Sequence, residues 1–219
     1  MGQIKISPSI LAAPLAHLAQ AAKQIENAGC DYVHIDVMDG HFVPALTFGE
    51  QITEAIAKES KVPLDVHLMV AKPEIEARKY FALKPEIITF HYEATTAPIR
   101  LAEIIRENGM RAGLSLNPRT PVSVLGDLIR YFDVILLMSV EPGYYGQKFI
   151  ESSWQRLKEL NALKERERLE GRIVEIEIDG GVSDQNAAAL AKEGADILVS
   201  GSYLFKGDMT ERVQKLRGN

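Results

Sequence analysis

The chain has a single cysteine, Cys30, so it can form no intrachain disulfide, which suits a reducing compartment. Free Cys30 reads as a small buried apolar residue. No apolar run reaches the ~18 residues that would read as a membrane-spanning helix. Positive charge is not in excess. Lys and Arg total 25 against 30 Asp and Glu, a net charge of −5. That excludes a general attraction to nucleic acid or anionic membrane, so an anionic substrate would need a local positive site. No basic apolar leader precedes Lys5-Ile6-Ser7-Pro8-Ser9-Ile10-Leu11, and the cytoplasm is the expected location. No Ser/Gly-rich or charged linker interrupts the chain, which predicts one domain over residues 1–219. No Gly-x-Gly-x-x-Gly follows the first strand-like run, which counts against an open, doubly wound dinucleotide-binding sheet.

What is present is an alternation. Short β-branched runs occur at Ile4–Ile10, Tyr32–Asp36, Leu64–Met69, Ile87–His91, Ala112–Leu116, Val134–Ser139, Val174–Asp179 and Ile197–Ser200. Between them lie stretches with apolar residues at helical spacing. Leu15, Leu18, Ala22 and Ile25 make one such face, and Ile99, Ala102 and Ile105 another. Trp154 to Leu169 is a charge-rich helix, and Leu163–Arg172 reads as its surface and exit. Gly29, Gly109 and Gly194 fit helix C-terminal glycines. Eight strand–helix units in one series imply parallel strands with crossover helices, the number that closes a (β/α)8 TIM barrel.

Two strands carry unusual polar residues. In an extended strand, i, i+2 and i+4 point the same way. His34, Asp36 and Met38 therefore share a face, as do His67 and Met69 on the next strand. Asp179 ends the seventh strand. In a barrel the working face lies at the C-terminal strand ends, so these side chains converge on one mouth. Singly, each would read as a hydrogen-bonded core group. Together, His34, Asp36, His67 and Asp179 read as the ligands of one divalent ion, Zn²⁺ first, with Fe²⁺, Co²⁺ or Mn²⁺ as alternatives. His91 is expected to support the site from outside the ligand set. Asp65 is expected to point outward to the helix layer, and His17 and His41 to lie on the surface. Met38, Met69 and Met138 sit near strand ends, as adaptable packing or as an apolar floor that excludes water.

Glycine-rich segments follow the late strands: Pro142-Gly143-Tyr144-Tyr145-Gly146-Gln147, Gly180-Gly181 and Gly201-Ser202. Glycine admits close approach of backbone N–H groups to an anion, and loops after strands seven and eight of this fold recurrently bind phosphate. A substrate stretching from metal to phosphate is the expectation.

The blocks His34-Ile35-Asp36-Val37-Met38-Asp39-Gly40-His41-Phe42-Val43-Pro44, Asp65-Val66-His67-Leu68-Met69-Val70, Leu114-Ser115-Leu116-Asn117-Pro118, Gly146-Gln147-Lys148-Phe149 and Glu177-Ile178-Asp179-Gly180-Gly181-Val182 resemble, in order and over nearly the whole chain, the ribulose-phosphate 3-epimerase family. The resemblance implies interconversion of D-ribulose 5-phosphate and D-xylulose 5-phosphate. It implies Asp36 and Asp179 as the acid/base pair, Ser9 in contact with substrate, and phosphate held by the backbone around Gly146, Gly180, Gly181, Gly201 and Ser202. It implies no organic cofactor, and a homo-oligomer, dimer or hexamer. Three positions depart from the family pattern. Glu141 and Tyr145 alter the loop after strand six, where Tyr145 replaces a glycine and a positive φ would cost energy. Ala45 stands where Asn is common. The alternatives are a hexulose-phosphate 3-epimerase, such as one acting on D-allulose 6-phosphate, and a non-catalytic sugar-phosphate-binding barrel. Two opposed carboxylates argue against the latter.

Overall fold

A computed structural model describes residues 3–218. Its strands are β1 (Lys5–Pro8), β2 (Val33–Met38), β3 (Leu64–Met69), β4 (Ile87–His91), β5 (Arg111–Leu116), β6 (Val134–Met138), β7 (Glu175–Asp179) and β8 (Ile197–Ser200). All pair in parallel in the order β1-β8-β7-β6-β5-β4-β3-β2. A parallel bridge between Ser9 and His34 joins the two ends of this sheet, so the ring closes into a (β/α)8 TIM barrel. β2 runs two residues past its expected end, because Met38 stays in register with Met69 of β3.

Helices α1 (Leu18–Asn27), α2 (Glu50–Glu59), α3 (Pro73–Tyr80) and α4 (Pro98–Glu107) follow the first four strands. Pro73 and Pro98 sit at the first turns of α3 and α4, where no N–H is needed. Two short 3-10 turns, Val122–Leu125 and Ile129–Tyr131, replace a helix between β5 and β6. Pro118, Pro121 and Gly126 punctuate that stretch too often for an α-helix. α5 (Ser153–Leu169) and α6 (Ala187–Lys192) follow β6 and β7, and α7 (Ser202–Phe205) and α8 (Met209–Leu216) follow β8. Gly29, Gly109 and Gly194 have positive φ, as expected of helix ends.

Two sequence expectations need correction. Leu15 is exposed, in a 3-10 turn before α1 rather than on its buried face. Glu167, expected on a helix surface, is fully buried, and its carboxylate accepts from Arg172 (3.0 Å) and Arg166 (3.2 Å). Charge-rich sequence was read as solvated, but three-dimensional packing closed over this one carboxylate once arginines met it.

The strands are buried on both faces, and the two faces differ. Outward residues such as Ile35, Val66, Ile88, Leu114, Ile135 and Ile176 join the main apolar core against the helices. Inward residues start as an apolar plug, Tyr32, Ile87, Val134 and Ile197, at the N-terminal end. Above the plug, the lumen turns polar: Ser7, His34, Asp65, Thr89 and Glu177 are all buried there. Apolar burial between barrel and helices therefore stabilises the fold, leaving the upper lumen for chemistry. No helix among the described residues is long and apolar enough to cross a membrane. Cys30 is buried, and burial pushes its thiol up to about 12, so it stays a neutral packing group.

Candidate active site and metal centre

His34 and Asp36 project from β2, His67 from β3 and Asp179 from the end of β7, into one mouth. One ligand atom from each lies within 4.8 Å of the others. His34 Nε2 stands 3.4 Å from Asp36 Oδ1. His67 Nδ1 stands 3.5 Å from that same oxygen and 3.9 Å from Asp179 Oδ2. These separations are long for hydrogen bonds. The two to Asp36, 3.4 and 3.5 Å, match the edges of a coordination shell, since ligands about 2.0–2.2 Å from a tetrahedral ion stand roughly 3.3–3.6 Å apart, and the third is slightly longer. His34 Nε2 and His67 Nδ1 are buried and have no hydrogen-bond partner. Two orphaned imidazole nitrogens aimed at two carboxylates are a donor set that fits a divalent cation.

The far nitrogen of each imidazole is anchored. His34 Nδ1 lies 2.6 Å from Asp65 Oδ2, which also accepts from Ser7 Oγ at 2.9 Å. Asp65 therefore points into the lumen, contrary to the sequence expectation. It shares strand parity with His67, and alternation with Val66 places it on the inner face. Glu177 lies in the same layer, 3.8 Å from His34 Nδ1, and the sequence reading passed over it although it shares the parity of Asp179. Burial and the Asp65 charge push its carboxyl well above the usual range, so it stays neutral. His34, Asp65 and Glu177 form a second close cluster. In it His34 Nδ1 is already taken by Asp65, while both Glu177 oxygens are buried without a hydrogen-bond partner.

His91, expected to support the site from outside, meets His67 with the two Nε2 atoms 2.8 Å apart. Its Nδ1 lies 3.5 Å from Glu93 Oε2. Burial would raise the Glu93 carboxyl, but His91, Thr120 and Asn117 outweigh it and hold it down to about 2. Such a depressed carboxyl stabilises the fold fully above its ordinary value of 4.5, and that contribution is lost as pH falls towards 2. Glu93→Gln should therefore flatten the loss of stability between pH 4.5 and 2, read as urea midpoints across that range. Equal acid slopes in the two proteins would refute the assignment.

The two carboxylates of the mouth are driven in opposite directions. Burial raises Asp36, but His34 and His67 outweigh it and hold the carboxyl far below the ordinary range. Ser9 Oγ donates to its Oδ2 at 2.6 Å. Burial and then the Asp36 charge push Asp179 up to about 7. The carboxylates that favour a proton on His34 equally favour a cation between the imidazoles.

Above the carboxylates opens a cavity of about 320 Å³. Met38, Met69 and Met138 line it as a buried wall without hydrogen-bond donors. Gly143, Gly146, Gly180, Gly181, Gly201 and Ser202 line it on the side of β6–β8. In the closed ring β6 and β7 lie opposite β2 and β3, and β8 adjoins β1. The loop after β2 reaches over: Val43 Cβ would stand 3.2 Å from a Cβ at Gly143. Asp39 shapes that loop by accepting from the N–H groups of His41, Phe42 and Ala71. His17 and His41 are exposed, as expected. Tyr145 needs no positive φ, since Gly143 (+116°) and Gly146 (+79°) carry the left-handed turns on either side of it. Gln147 pins the loop by donating to the carbonyls of Glu141 (2.6 Å) and Tyr144 (2.9 Å).

Gly181 is fixed by two constraints. Its φ is +63°, and a Cβ there would lie 2.4 Å from the Phe149 backbone nitrogen. Gly181→Ala should destabilise the protein by about 2–4 kcal/mol, combining backbone strain with overpacking. Urea unfolding measures it, and a loss below about 0.5 kcal/mol, the ordinary scatter of surface changes, would refute the constraint.

The sequence profile described as the ribulose-phosphate 3 epimerase family matches residues 5–205. The chain is 39% identical over 217 residues to ribulose-phosphate 3-epimerase of Bacillus subtilis, covering 99% of both chains. It is 43% identical over 203 residues to ribulose-phosphate 3-epimerase 1 of Cupriavidus necator, covering 92% of this chain and 84% of the other. Among solved structures, 3-hexulose-6-phosphate synthase superposes with a TM-score of 0.68 at 13% identity, covering 99% of each chain. A mutant tryptophan synthase α-subunit from Pyrococcus furiosus gives 0.69 at 16%, covering 99% of this chain and 98% of the other. At such identity these two share the fold alone. The epimerase matches extend from the first strand past the last and include the strands that bear His34, Asp36, His67 and Asp179, and on that evidence the chain belongs to the ribulose-phosphate 3-epimerase family.

Proposed function

We propose that this protein is a ribulose-phosphate 3-epimerase, interconverting D-ribulose 5-phosphate and D-xylulose 5-phosphate. The observation that carries the reading is the pair of carboxyls in one mouth, Asp36 favoured as the anion and Asp179 as the acid, beside a glycine-lined cavity. Inverting carbon 3 requires removing a proton from one face and returning one to the other. Asp36 takes the proton on its side, and Asp179 delivers one from its own, with roles exchanged in reverse. Ser9 holds Asp36 in place through Oδ2. The methionine wall keeps water from the charged carbon without offering it a proton. A divalent ion held by His34, Asp36, His67 and Asp179, Zn²⁺ first and Fe²⁺, Co²⁺ or Mn²⁺ as alternatives, would stabilise the negative charge developing on the substrate oxygens. No organic cofactor is required.

The phosphate sits among Gly146, Gly180, Gly181, Gly201 and Ser202, where backbone N–H groups can meet it. Ser202→Asp should raise KM for the phosphorylated sugar at least ~10-fold by placing a carboxylate against a dianion, with kcat less affected. An unchanged KM would move the phosphate elsewhere. The reading also carries the cytoplasm as location and a homo-oligomer, dimer or hexamer, as the working assembly, checked by sedimentation. The deciding assay compares kcat/KM for ribulose 5-phosphate and allulose 6-phosphate with metal-loaded protein. A preference for the hexulose phosphate would replace this reading by its neighbour, and turnover of neither would leave a binding barrel.

A further inference from the structure

We propose that Arg212, with Lys206 beside it, supplies the positive charge that the substrate phosphate meets at the outer end of the cavity. The inference rests on the epimerase reading above and deepens it.

The chain carries a net charge of −5, and the phosphate cradle of Gly146, Gly180, Gly181, Gly201 and Ser202 offers only uncharged groups. A dianion entering the mouth also approaches Asp36, which the imidazoles hold as an anion. Like charges repel, so a cation at the phosphate end would strengthen binding. The charged side chains lining the cavity are of two kinds. Asp36 and Asp179 stand at the C-terminal ends of β2 and β7. Lys206 and Arg212 come from the segment after β8, which also provides Gly201 and Ser202.

Ser202 Oγ lies 3.4 Å from the place a Cβ at Gly146 would take, so it sits against the loop after β6. The next residue, Tyr203, holds the arginine. Arg212 Nη1 donates to Tyr203 O, and the guanidinium carbon lies 4.7 Å from the Tyr203 ring centroid. On another side the guanidinium rests on Gly207, where a Cβ would come 2.7 Å from Arg212 Nε and 2.9 Å from Nη2. Gly207 has no positive φ, so what it provides is room. The ion pairs of α8 and the residue after it are Lys215–Glu211 and Arg217–Asp31, and among the described residues Arg212 and Lys206 enter none. Three contacts thus fix a guanidinium that no carboxylate of the described residues occupies, on the wall of a glycine-lined cavity. Its planar fork suits phosphate oxygens. Lys206 is exposed and adds a more screened charge.

Inorganic phosphate is the probe that separates this from turnover. Titrated into the metal-loaded full chain by calorimetry, it should bind Arg212→Met about 10-fold more weakly than wild type. KM for ribulose 5-phosphate should rise about 10-fold as well, and kcat should change far less, since the charge acts on substrate and transition state alike. The dependence of kcat/KM on ionic strength should flatten. Lys206→Met should act in the same direction by about 2–3-fold. Gly207→Ala keeps every charge and displaces only the tip of a flexible side chain, so it should raise KM several-fold at an unchanged urea midpoint. An arginine that merely braces α8 would lower the urea midpoint in Arg212→Met and leave phosphate affinity and salt dependence as they are, and that result overturns the proposal. A wild type that binds no phosphate overturns it too. Should Arg212→Met not fold, phosphate binding to Gly207→Ala and Lys206→Met decides. Arg212-dependent phosphate binding in a chain that epimerises no sugar phosphate sinks the functional reading and leaves this one standing. Epimerisation with a KM unmoved by Arg212→Met does the reverse.

Discussion

Asp36→Asn and Asp179→Asn are each expected to lower kcat by roughly 10³-fold or more, since each removes a proton-transferring group that also belongs to the ligand set. The structure gives the two losses different characters. Asp36 is stabilised as an anion by His34 and His67 and steadied by Ser9, so its amide replacement removes the base while keeping an acceptor for Ser9. Asp179, raised to about 7, is the proton donor of the pair, and its amide cannot give a proton. The double variant should be little worse than either single one, because one missing partner already stops inversion. In deuterated water the wild-type enzyme should place deuterium at carbon 3. A variant lacking one acid should still exchange the carbon 3 proton of one epimer while failing to invert it, which identifies the aspartate facing that epimer. Metal content is measured alongside, because loss of the ion would imitate loss of a base. Either variant retaining wild-type kcat, or epimerisation without solvent deuterium, would refute the two-aspartate mechanism.

The second large effect concerns the imidazoles. His34→Ala and His67→Ala should each weaken divalent-metal binding by well over the 10–100-fold typical of an outer partner. Asp65→Asn, which only weakens the anchor on His34 Nδ1, should fall within that smaller range. The ordering is the test, measured by chelator competition and metal analysis on the same preparations. His34→Ala should also unfold more easily without metal. It strands the fully buried Asp65 without its imidazole, and a buried charge stripped of its partner costs about 3–5 kcal/mol. A fully active, metal-free protein would overturn the ligand assignment altogether.

Strand periodicity by itself determined the barrel. Eight β-branched runs separated by helical spacing admit few other architectures, and all eight expected runs begin within one residue of the observed strands. The facing of His34, Asp36, His67 and Asp179 was legible for the same reason, since alternation fixes which side chains share a face. Alternation also held the inward facing of Asp65 and Glu177, since Asp65 shares the parity of His67 and Glu177 that of Asp179, so the outward expectation for Asp65 had the parity reversed. Only the closed ring decided the rest. Pairing of β8 with β1, and of β1 with β2 through Ser9 and His34, brought the glycine loops into one cavity with Asp36. Pairing of β4 on β3 brought His91 within reach of His67, and packing of α5 buried Glu167 beside its sequence neighbours Arg166 and Arg172. The His67–His91 contact joins residues 24 positions apart, and the burial of Glu167 depends on where α5 packs. No local pattern encodes them, because burial and pairing of polar groups are settled by distance in space rather than along the chain.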